Sequence, residues 1–507
     1  ITKSEISMRT WRSPMSAALQ GAFVVIPEIP LCDISYIIKK GGDEMIGVIG
    51  VIISLILLIM LAYKGWSVIL IAPILALIAS VFVIFEGGDF HMMAIYTETY
   101  MPNLASYVKA NFPIFLLGAV FGKVMDLSGC AKSIAETIVA KAGRGKELWA
   151  VVLSCAIITY GGVSLFVAAF AIYPIGAALF RETDIPKRLL PPAIALGAFT
   201  FTMTAIPGTP QIQNTIPMAY FGTDTFAAPV LGIVAALIML LGGMFWLTLR
   251  LKKAKEAGEG YGDHPNENLA DIDISKLPPF AIAITPILAV LVLNLILSKF
   301  VLPGMEHAYL EEKYNTTYSA VGGTWALVIA LVVGILLTVV LNRSRFEKGI
   351  VESLKEGANS SLLAIMNTAS EVGYGNVIKT LPAYALLAAG LLSISSNPLI
   401  GEAIASSVMA GVTGSASGGL SIALATFADS FKAAADASGI SYEVLHRVAS
   451  VACGGLDTLP HNGAVITLLM ATGMTHKECY LNIGMCTVII PTIAVIAIII
   501  LGSFGVC

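Results

Sequence analysis

Apolar runs long enough to cross a bilayer recur along almost the whole chain, and they decide the fold class. A membrane helix needs about 20 mostly apolar residues. The stretches 46–62, 66–85, 111–128, 189–206, 225–249, 278–300, 324–342, 358–378 and 482–503 meet or approach that length. Two more, 148–180 and 402–435, are apolar but rich in glycine and interrupted. Over 507 residues the apolar fraction is 57%, the charged fraction 12% and the mean hydropathy +0.84. A soluble domain carries about 25% charged residues, and no core of this size could hide so much apolar surface. The sequence predicts an all-α polytopic membrane protein whose first partner is the lipid bilayer.

The remaining global features narrow function by exclusion. A formal net charge of −3 argues against nucleic acid as a partner. Of seven cysteines, Cys130, Cys155, Cys453 and Cys486 lie in or beside apolar runs, and no CxxC pair occurs, so they read as small buried hydrophobes. Walker A, HExxH and GxSxG patterns are absent. ATP hydrolysis in cis and common hydrolase chemistry therefore lose support, and no cofactor is expected beyond a coupling ion, H+ or Na+.

Residues 1–44 are more polar than the rest of the chain and show no signal-peptide pattern, since the apolar stretch Ala22-Phe23-Val24-Val25-Ile26 is short and ends at Pro27. Lys40-Gly41-Gly42-Asp43 can be encoded by AAA GGA GGU GAU, a bacterial ribosome-binding sequence spaced correctly ahead of an AUG for Met45. The expectation is that 1–44 is translated leader and that the native chain starts at Met45; peptides from 1–44 in the natively expressed protein would refute it.

Basic residues mark the cytoplasmic side. They cluster at Lys141/Arg144/Lys146, Arg181/Lys187/Arg188, Arg250/Lys252/Lys253/Lys255 and Arg343/Arg345/Lys348, with acidic or neutral loops at Glu86–Glu98 and Glu306–Glu312 between them. Stretch 148–180 has basic residues at both ends, so it must enter and leave on one side, as a re-entrant hairpin or tight helix pair does. Irregular backbone at that depth is tolerated only where protein buries it or it lines a wet cavity.

A repeat is also legible. Phe121-Gly122-Lys123-Val124-Met125 matches Tyr374-Gly375-Asn376-Val377-Ile378 at 374 − 121 = 253. Gly161-Gly162-Val163-Ser164-Leu165 matches Gly418-Gly419-Leu420-Ser421-Ile422 at 418 − 161 = 257, and Pro207 matches Pro460 at 460 − 207 = 253. The Phe121 helix runs inward toward Lys141 and the Tyr374 helix runs outward from the basic 340s, so the halves are expected to be inverted, with interrupted hairpins, the architecture of secondary transporters. The predicted organisation is N-terminal membrane helices over 45–110, a first inverted repeat over 111–249, a cytoplasmic linker over 250–277, a connecting helix pair over 278–342 and a second inverted repeat over 343–507.

The substrate site should lie where the interrupted segments converge. In the first half, Pro207 and Pro210 break a helix and free backbone groups, and Thr209, Gln211, Gln213 and Asn214 supply neutral donors and acceptors. In the second half, Asp457-Thr458-Leu459-Pro460-His461-Asn462 occupies the matching place. The hairpins carry Gly161, Gly162 and Ser164, and Ser415 and Ser417, small residues that let backbone N–H groups and helix N-termini approach a carboxylate. Close helix packing would also favour small residues. Ionisable groups in apolar surroundings are costly and usually functional; Lys123, Asp126, Glu371, Asp429, Asp457 and His461 qualify. Asp457 is the favoured ion-coupling group and His461 a secondary one, since His titrates near neutrality.

Ser128-Gly129, Ile134-Ala135, Ala140-Lys141-Ala142-Gly143, Trp149-Ala150-Val151-Val152-Leu153, the proline break at 207–210 and Gly414-Ser415-Ala416 together resemble the gluconate permease (GntP) family over most of 46–503. The resemblance implies a proton-coupled symporter for gluconate-like or short hydroxy acids in the bacterial cytoplasmic (inner) membrane. It also implies the ion-transporter superfamily fold with two hairpins, often dimeric and moving as an elevator. The family's first hairpin carries an acidic residue after the aromatic where this chain has Gly161, so that role would pass to Asp457 or coupling would use Na+. The reading is a secondary active transporter importing a small carboxylate or sugar acid, not an enzyme. Its rivals are an intramembrane aspartyl protease using Asp429 and Asp457, and a channel.

Overall fold

The computed structural model describes residues 46–507 apart from 59, 62–63, 65, 87–88, 144, 164, 265–275, 347–348, 396 and 461. The expected leader 1–44, Ser164 and His461 thus lie outside the described residues. Among the described residues there are helices and no strands. Two helices open the chain, α1 (Ile46–Leu58) and α2 (Val68–Val81). The next set is α3 (Met92–Leu127), α4 (Cys130–Ala142), a hairpin of α5 (Glu147–Tyr160) and α6 (Leu165–Glu182), a broken pair α7 (Leu190–Ala198) and α8 (Ile212–Phe221), and α9 (Pro229–Glu256). After α10 (Phe280–Gly304), α11 (Ala308–Tyr314) and α12 (Tyr318–Leu341), the same order recurs. It comprises α13 (Ile350–Lys379), α14 (Ala383–Ser393), the hairpin α15 (Pro398–Thr413)/α16 (Ala416–Ser438), the broken pair α17 (Tyr442–Leu456)/α18 (Gly463–Thr472), and α19 (His476–Ser503).

Helix lengths separate the roles. α3, α9, α10, α12 and α19 are long and apolar enough to cross a membrane. The first arm of each hairpin is not: α5 has 14 residues and α15 has 16, about 21 and 24 Å of helix against a hydrocarbon core of about 30 Å. On α9 the exposed side chains Ile233, Leu237, Leu241 and Phe245 recur every four residues, an apolar stripe that in water would be a liability and in lipid is the required surface.

Several boundaries differ from the sequence expectation: α13 starts at Ile350 rather than 358, α9 runs on to Glu256 into the expected linker, α19 starts at His476 rather than 482, and two further shifts have a clear physical reason. α3 begins at Met92, inside the stretch read as an acidic loop. Glu98 and Lys109 lower the hydropathy there without breaking the helix, and Tyr100, Leu104 and Tyr107 are buried, with Tyr100 seated on Gly373 of α13. Packing, rather than hydropathy, makes that turn helical. α7 stops at Ala198, earlier than 206. The carbonyls of Leu196 and Gly197 at this end accept from the hydroxyls of Thr200 and Thr202 at 2.6 and 2.8 Å, so threonines substitute for the interrupted helical ladder before a short turn of helix, Phe201–Thr204, follows.

The helices form two packed bodies. One joins α1, α2, α3 and α13 around Leu75, Tyr100, Phe115 and Tyr374. The other contains both hairpins and both broken pairs, with α9, α10 and α12 against them. Ile422 and Ala425 of α16 belong to the first core while Leu420, Ala423 and Phe431 serve the second, and α3 divides in the same way, with Tyr100, Tyr107 and Phe115 in the first and Ile114, Phe121 and Val124 in the second, so hairpin 2 and α3 both join the bodies. The arms of hairpin 2 nearly touch, since a Cβ on Gly419 would sit 2.1 Å from the Ala410 nitrogen. Single cysteines placed beside Lys146 and Arg188 should both react with a membrane-impermeant thiol reagent from the cytoplasm only, and one beside Glu312 from outside only. Labelling of 146 and 188 from opposite sides would mean that α5 and α6 together cross the bilayer.

Candidate functional site

Both hairpins and both helix breaks meet at one cavity. This cavity, of about 250 Å³, is bounded by Leu165 at the start of α6, Phe199, Met203 and Gln213 of the first break, and the turn Gly414–Ser417 of hairpin 2. Asp457, Thr458 and Asn462 of the second break complete it. Helix direction gives this space its electrostatics. Leu165, Gln213, Ala416 and Gly463 all lie at the first or second position of their helices, so four N-termini, of α6, α8, α16 and α18, open on it. Free N–H groups and the positive ends of four helix dipoles favour an anion there. Two of the four carry side-chain caps: Ser415 Oγ accepts from Gly418 N at 3.1 Å, and Asn462 Oδ1 accepts from Val465 N at 2.9 Å.

Of the residues singled out from sequence, Gln213, Ser415, Ser417, Asp457 and Asn462 line this cavity. Asp457 is its one ionisable group among the described lining residues. Gln213 Oε1 and Asp457 Oδ1 are buried and have no hydrogen-bond partner among the described residues. Thr209 is fully buried nearby, its hydroxyl also unpartnered, and does not line the cavity.

The other candidates hold the tips in place. Gln211 Nε2 donates to the carbonyls of Thr159 and Val163 at 2.7 and 3.1 Å, and Tyr160 Oη donates to the Pro207 carbonyl at 2.8 Å. Asn462 Nδ2 does the equivalent in the second half, donating to the Gly414 carbonyl at 2.8 Å. Each hairpin tip is thus pinned to the break of its own half by an amide. Gly162, at φ +95°, closes the first tip; a Cβ there would meet Pro210 at 2.8 Å, and one on Gly161 would meet Ile287 of α10 at 2.7 Å. Gln211→Ala leaves two tip carbonyls without a side-chain donor, at about 1–3 kcal/mol if no water replaces it. The expected result is a lower melting temperature together with weaker substrate affinity, and wild-type values for both would show that the clamp is dispensable.

Asn214 belongs to a buried network that sequence reasoning missed. Its Nδ2 donates to the carbonyls of Thr209 and Thr225, both at 2.9 Å. Its Oδ1 accepts from Arg447 Nη1 at 2.9 Å and faces His446 Nε2 at 3.3 Å. The His446 proton therefore sits on Nε2, leaving Nδ1 to accept from the Thr223 hydroxyl at 2.6 Å. Arg447, fully buried on α17, also donates to the Ala227 carbonyl at 2.7 and 3.1 Å and to the Thr204 carbonyl at 3.2 Å. The signal was present: His446 and Arg447 interrupt an apolar segment as Lys123 and Glu371 do, and the same rule selects them. Thr223 borders a second, open cavity of about 950 Å³, bounded also by the base of hairpin 2 and an Asp224–Lys299 ion pair of 2.9 Å.

Two of the other ionisable candidates are committed elsewhere. Lys123 pairs with Glu356 of α13 at 3.0 Å. Asp429, on an exposed part of α16, is held by Lys379 and by Lys432 at 3.0 Å, so it shares no cavity with Asp457 and the two do not form a catalytic pair.

The comparisons agree with this architecture. The Alcanivorax borkumensis YdaH transporter superposes with a TM-score of 0.54 at 14% identity, covering 82% of this chain and 88% of that one. MtrF of Neisseria gonorrhoeae, described with a class of antimetabolite efflux pumps, gives 0.54 at 16% identity, covering 82% and 84%. At these identities the likeness concerns the fold alone. In sequence, the uncharacterised transporter YxjC of Bacillus subtilis (strain 168) is 44% identical over 469 residues, 89% of this chain and 98% of that protein. A gluconate permease of Bacillus licheniformis is 30% identical over 189 residues, 36% of this chain and 40% of that one. Residues 45–504 match the description GntP family permease. The chain belongs to the GntP permease family, a family of transporters, and is a multi-pass protein of the bacterial inner membrane.

Proposed function

We propose that this transporter is an ion-coupled symporter importing gluconate-like or short hydroxy carboxylic acids, with H+ as the coupling ion and Asp457 as the group that binds it in the cavity. The observation that carries the reading is the convergence of four helix N-termini on a cavity with one carboxyl among its described lining residues. Such a site attracts an anion, and it does so best when Asp457 is neutral, which links substrate binding to proton binding. Its volume, about 250 Å³, falls just below the range of about 300–1,000 Å³ usual for drug-sized ligands and suits a short acid. Gln213, Ser415, Ser417 and Asn462 supply neutral hydrogen bonds for hydroxyl groups. The partial identity to a gluconate permease supports the substrate class.

Na+ coupling is the second reading, favoured by Asp457 Oδ1 and Gln213 Oε1, hard ligands with no hydrogen-bond partner among the described residues. In both readings the recurring sets are inverted and the hairpin-bearing body moves past the long helices α3 and α13 as an elevator, singly or within a homodimer. Uptake of labelled gluconate and short hydroxy acids into proteoliposomes decides among these. Accumulation under an imposed proton gradient, unchanged when Na+ is replaced by K+, supports H+ symport; accumulation that requires Na+ supports the second reading. Equilibration without accumulation under either gradient would indicate a channel and overturn both.

A further inference from the structure

A second carboxyl approaches the same helix end from outside the cavity. Glu371 of α13 is 7% exposed, and neither a hydrogen bond nor an ion pair joins its carboxyl to another described side chain. It points at the first turn of α16: a Cβ built on Gly418 would lie 2.6 Å from its Oε1 and 2.7 Å from its Oε2. One step earlier in the chain, Gly414–Ser417 line the cavity. The glycine at 418 is what allows the carboxyl to come so close. The titratable groups facing Glu371 among the described residues are Tyr100 and Tyr107 of α3, both buried. No cation is among them. α2, packed on the same helix, carries no titratable residue. On α16 the charged residues Asp429, Lys432 and Asp436 begin about three turns beyond Gly418.

We propose that Glu371 is a second proton-binding group, coupled to the substrate anion because both act on the N-terminal turn of α16. An ionised Glu371 and a carboxylate in the cavity compete for the same positive helix end and repel each other across it. With the proton on Glu371, that end is free for the substrate. By linkage, a substrate that binds better to the protonated protein raises proton affinity by the same factor. The proton is taken from the outer water as the anion binds and returned to the cytoplasm as the anion leaves, with no other bond made or broken. Glu371 also lies where hairpin 2 meets the long helices, so its charge is in a position to oppose or permit their relative movement.

The inference rests on the symport reading, and the experiment separates the two. Gluconate affinity of the purified protein is measured from pH 5 to 9 in wild type, Glu371→Gln and Glu371→Asp. If one proton is taken up at Glu371, the slope of log Kd against pH falls by about one in the Gln variant and is kept in the Asp variant, which retains the acid. Accumulation of gluconate by wild type with an unchanged slope in Glu371→Gln overturns the Glu371 assignment alone. Failure of wild type to accumulate gluconate under either ion gradient removes the symport reading. An infrared titration without substrate tests the group itself. A protonated-carboxyl band that disappears as pH rises in wild type and is missing from Glu371→Gln is expected. The absence of such a band overturns the proposal whether or not gluconate is the acid carried.

Discussion

Asp457→Asn should lower the gluconate accumulation reached under an imposed gradient by about tenfold per pH unit, while leaving exchange of gluconate across an equilibrated membrane close to wild type. One coupled proton contributes about 1.4 kcal/mol per pH unit of gradient, which is that factor of ten. The substitution is nearly isosteric and mimics the protonated acid, so the cavity keeps its shape and its four helix N-termini. What it loses is the ability to carry the proton. Asp457 sits at the end of α17 where the helix ladder is already broken, between Leu456 and the Asn462 cap of α18, so the change removes no regular backbone bond. Gln213→Ala is the contrasting variant: it removes a neutral lining group and should raise KM without changing the accumulation ratio. If Asp457→Asn concentrates substrate as wild type does, Asp457 is structural and coupling passes to another group, with Glu371 the next to test.

The membrane-protein class and the hairpins were legible because they rest on strong, additive signals: hydropathy over about 20 residues, and basic residues at both ends of 148–180. The recurrence of helix, hairpin, broken pair and long helix was legible through three glycine and proline matches, since glycine and proline fix backbone geometry that other residues leave free. The candidate site was only half legible. Residue type identified Gln213, Ser415, Ser417, Asp457 and Asn462, which line the cavity, and equally Gln211 and Asn214, whose amides bond backbone carbonyls and Arg447. A buried amide satisfies a broken helix or a ligand with the same atoms, and only the direction of the side chain separates the two. Glu402 was missed for a related reason. It opens the apolar stretch 402–435 and looks like a boundary, yet it is fully buried, with neither carboxyl oxygen hydrogen-bonded among the described residues.

Arg447→Met should be the most destabilising single change in the transport body, by about 3–5 kcal/mol, with uptake lost as a consequence. The guanidinium is fully buried, and no carboxylate lies within ion-pair distance among the described residues; it is neutralised by oxygen dipoles from Thr204, Asn214, Thr225 and Ala227. Those oxygens belong to the first broken pair and its turn into α9, whereas Arg447 sits on α17 of the second. Ser450, one turn on, adds a bond to the Thr204 carbonyl at 2.8 Å. The two broken pairs are thereby fastened to each other, and their N-termini can present a single anion site only if they stay in register. Methionine fills the volume but strands several buried acceptors at once. Arg447→Lys keeps the charge and one point of donation, without the planar fork that reaches four separate oxygens, so it should fall between methionine and wild type. Melting temperature in detergent, read with uptake, checks the order wild type, lysine, methionine. A methionine variant that melts and transports as wild type would mean that the two halves are held together by packing alone.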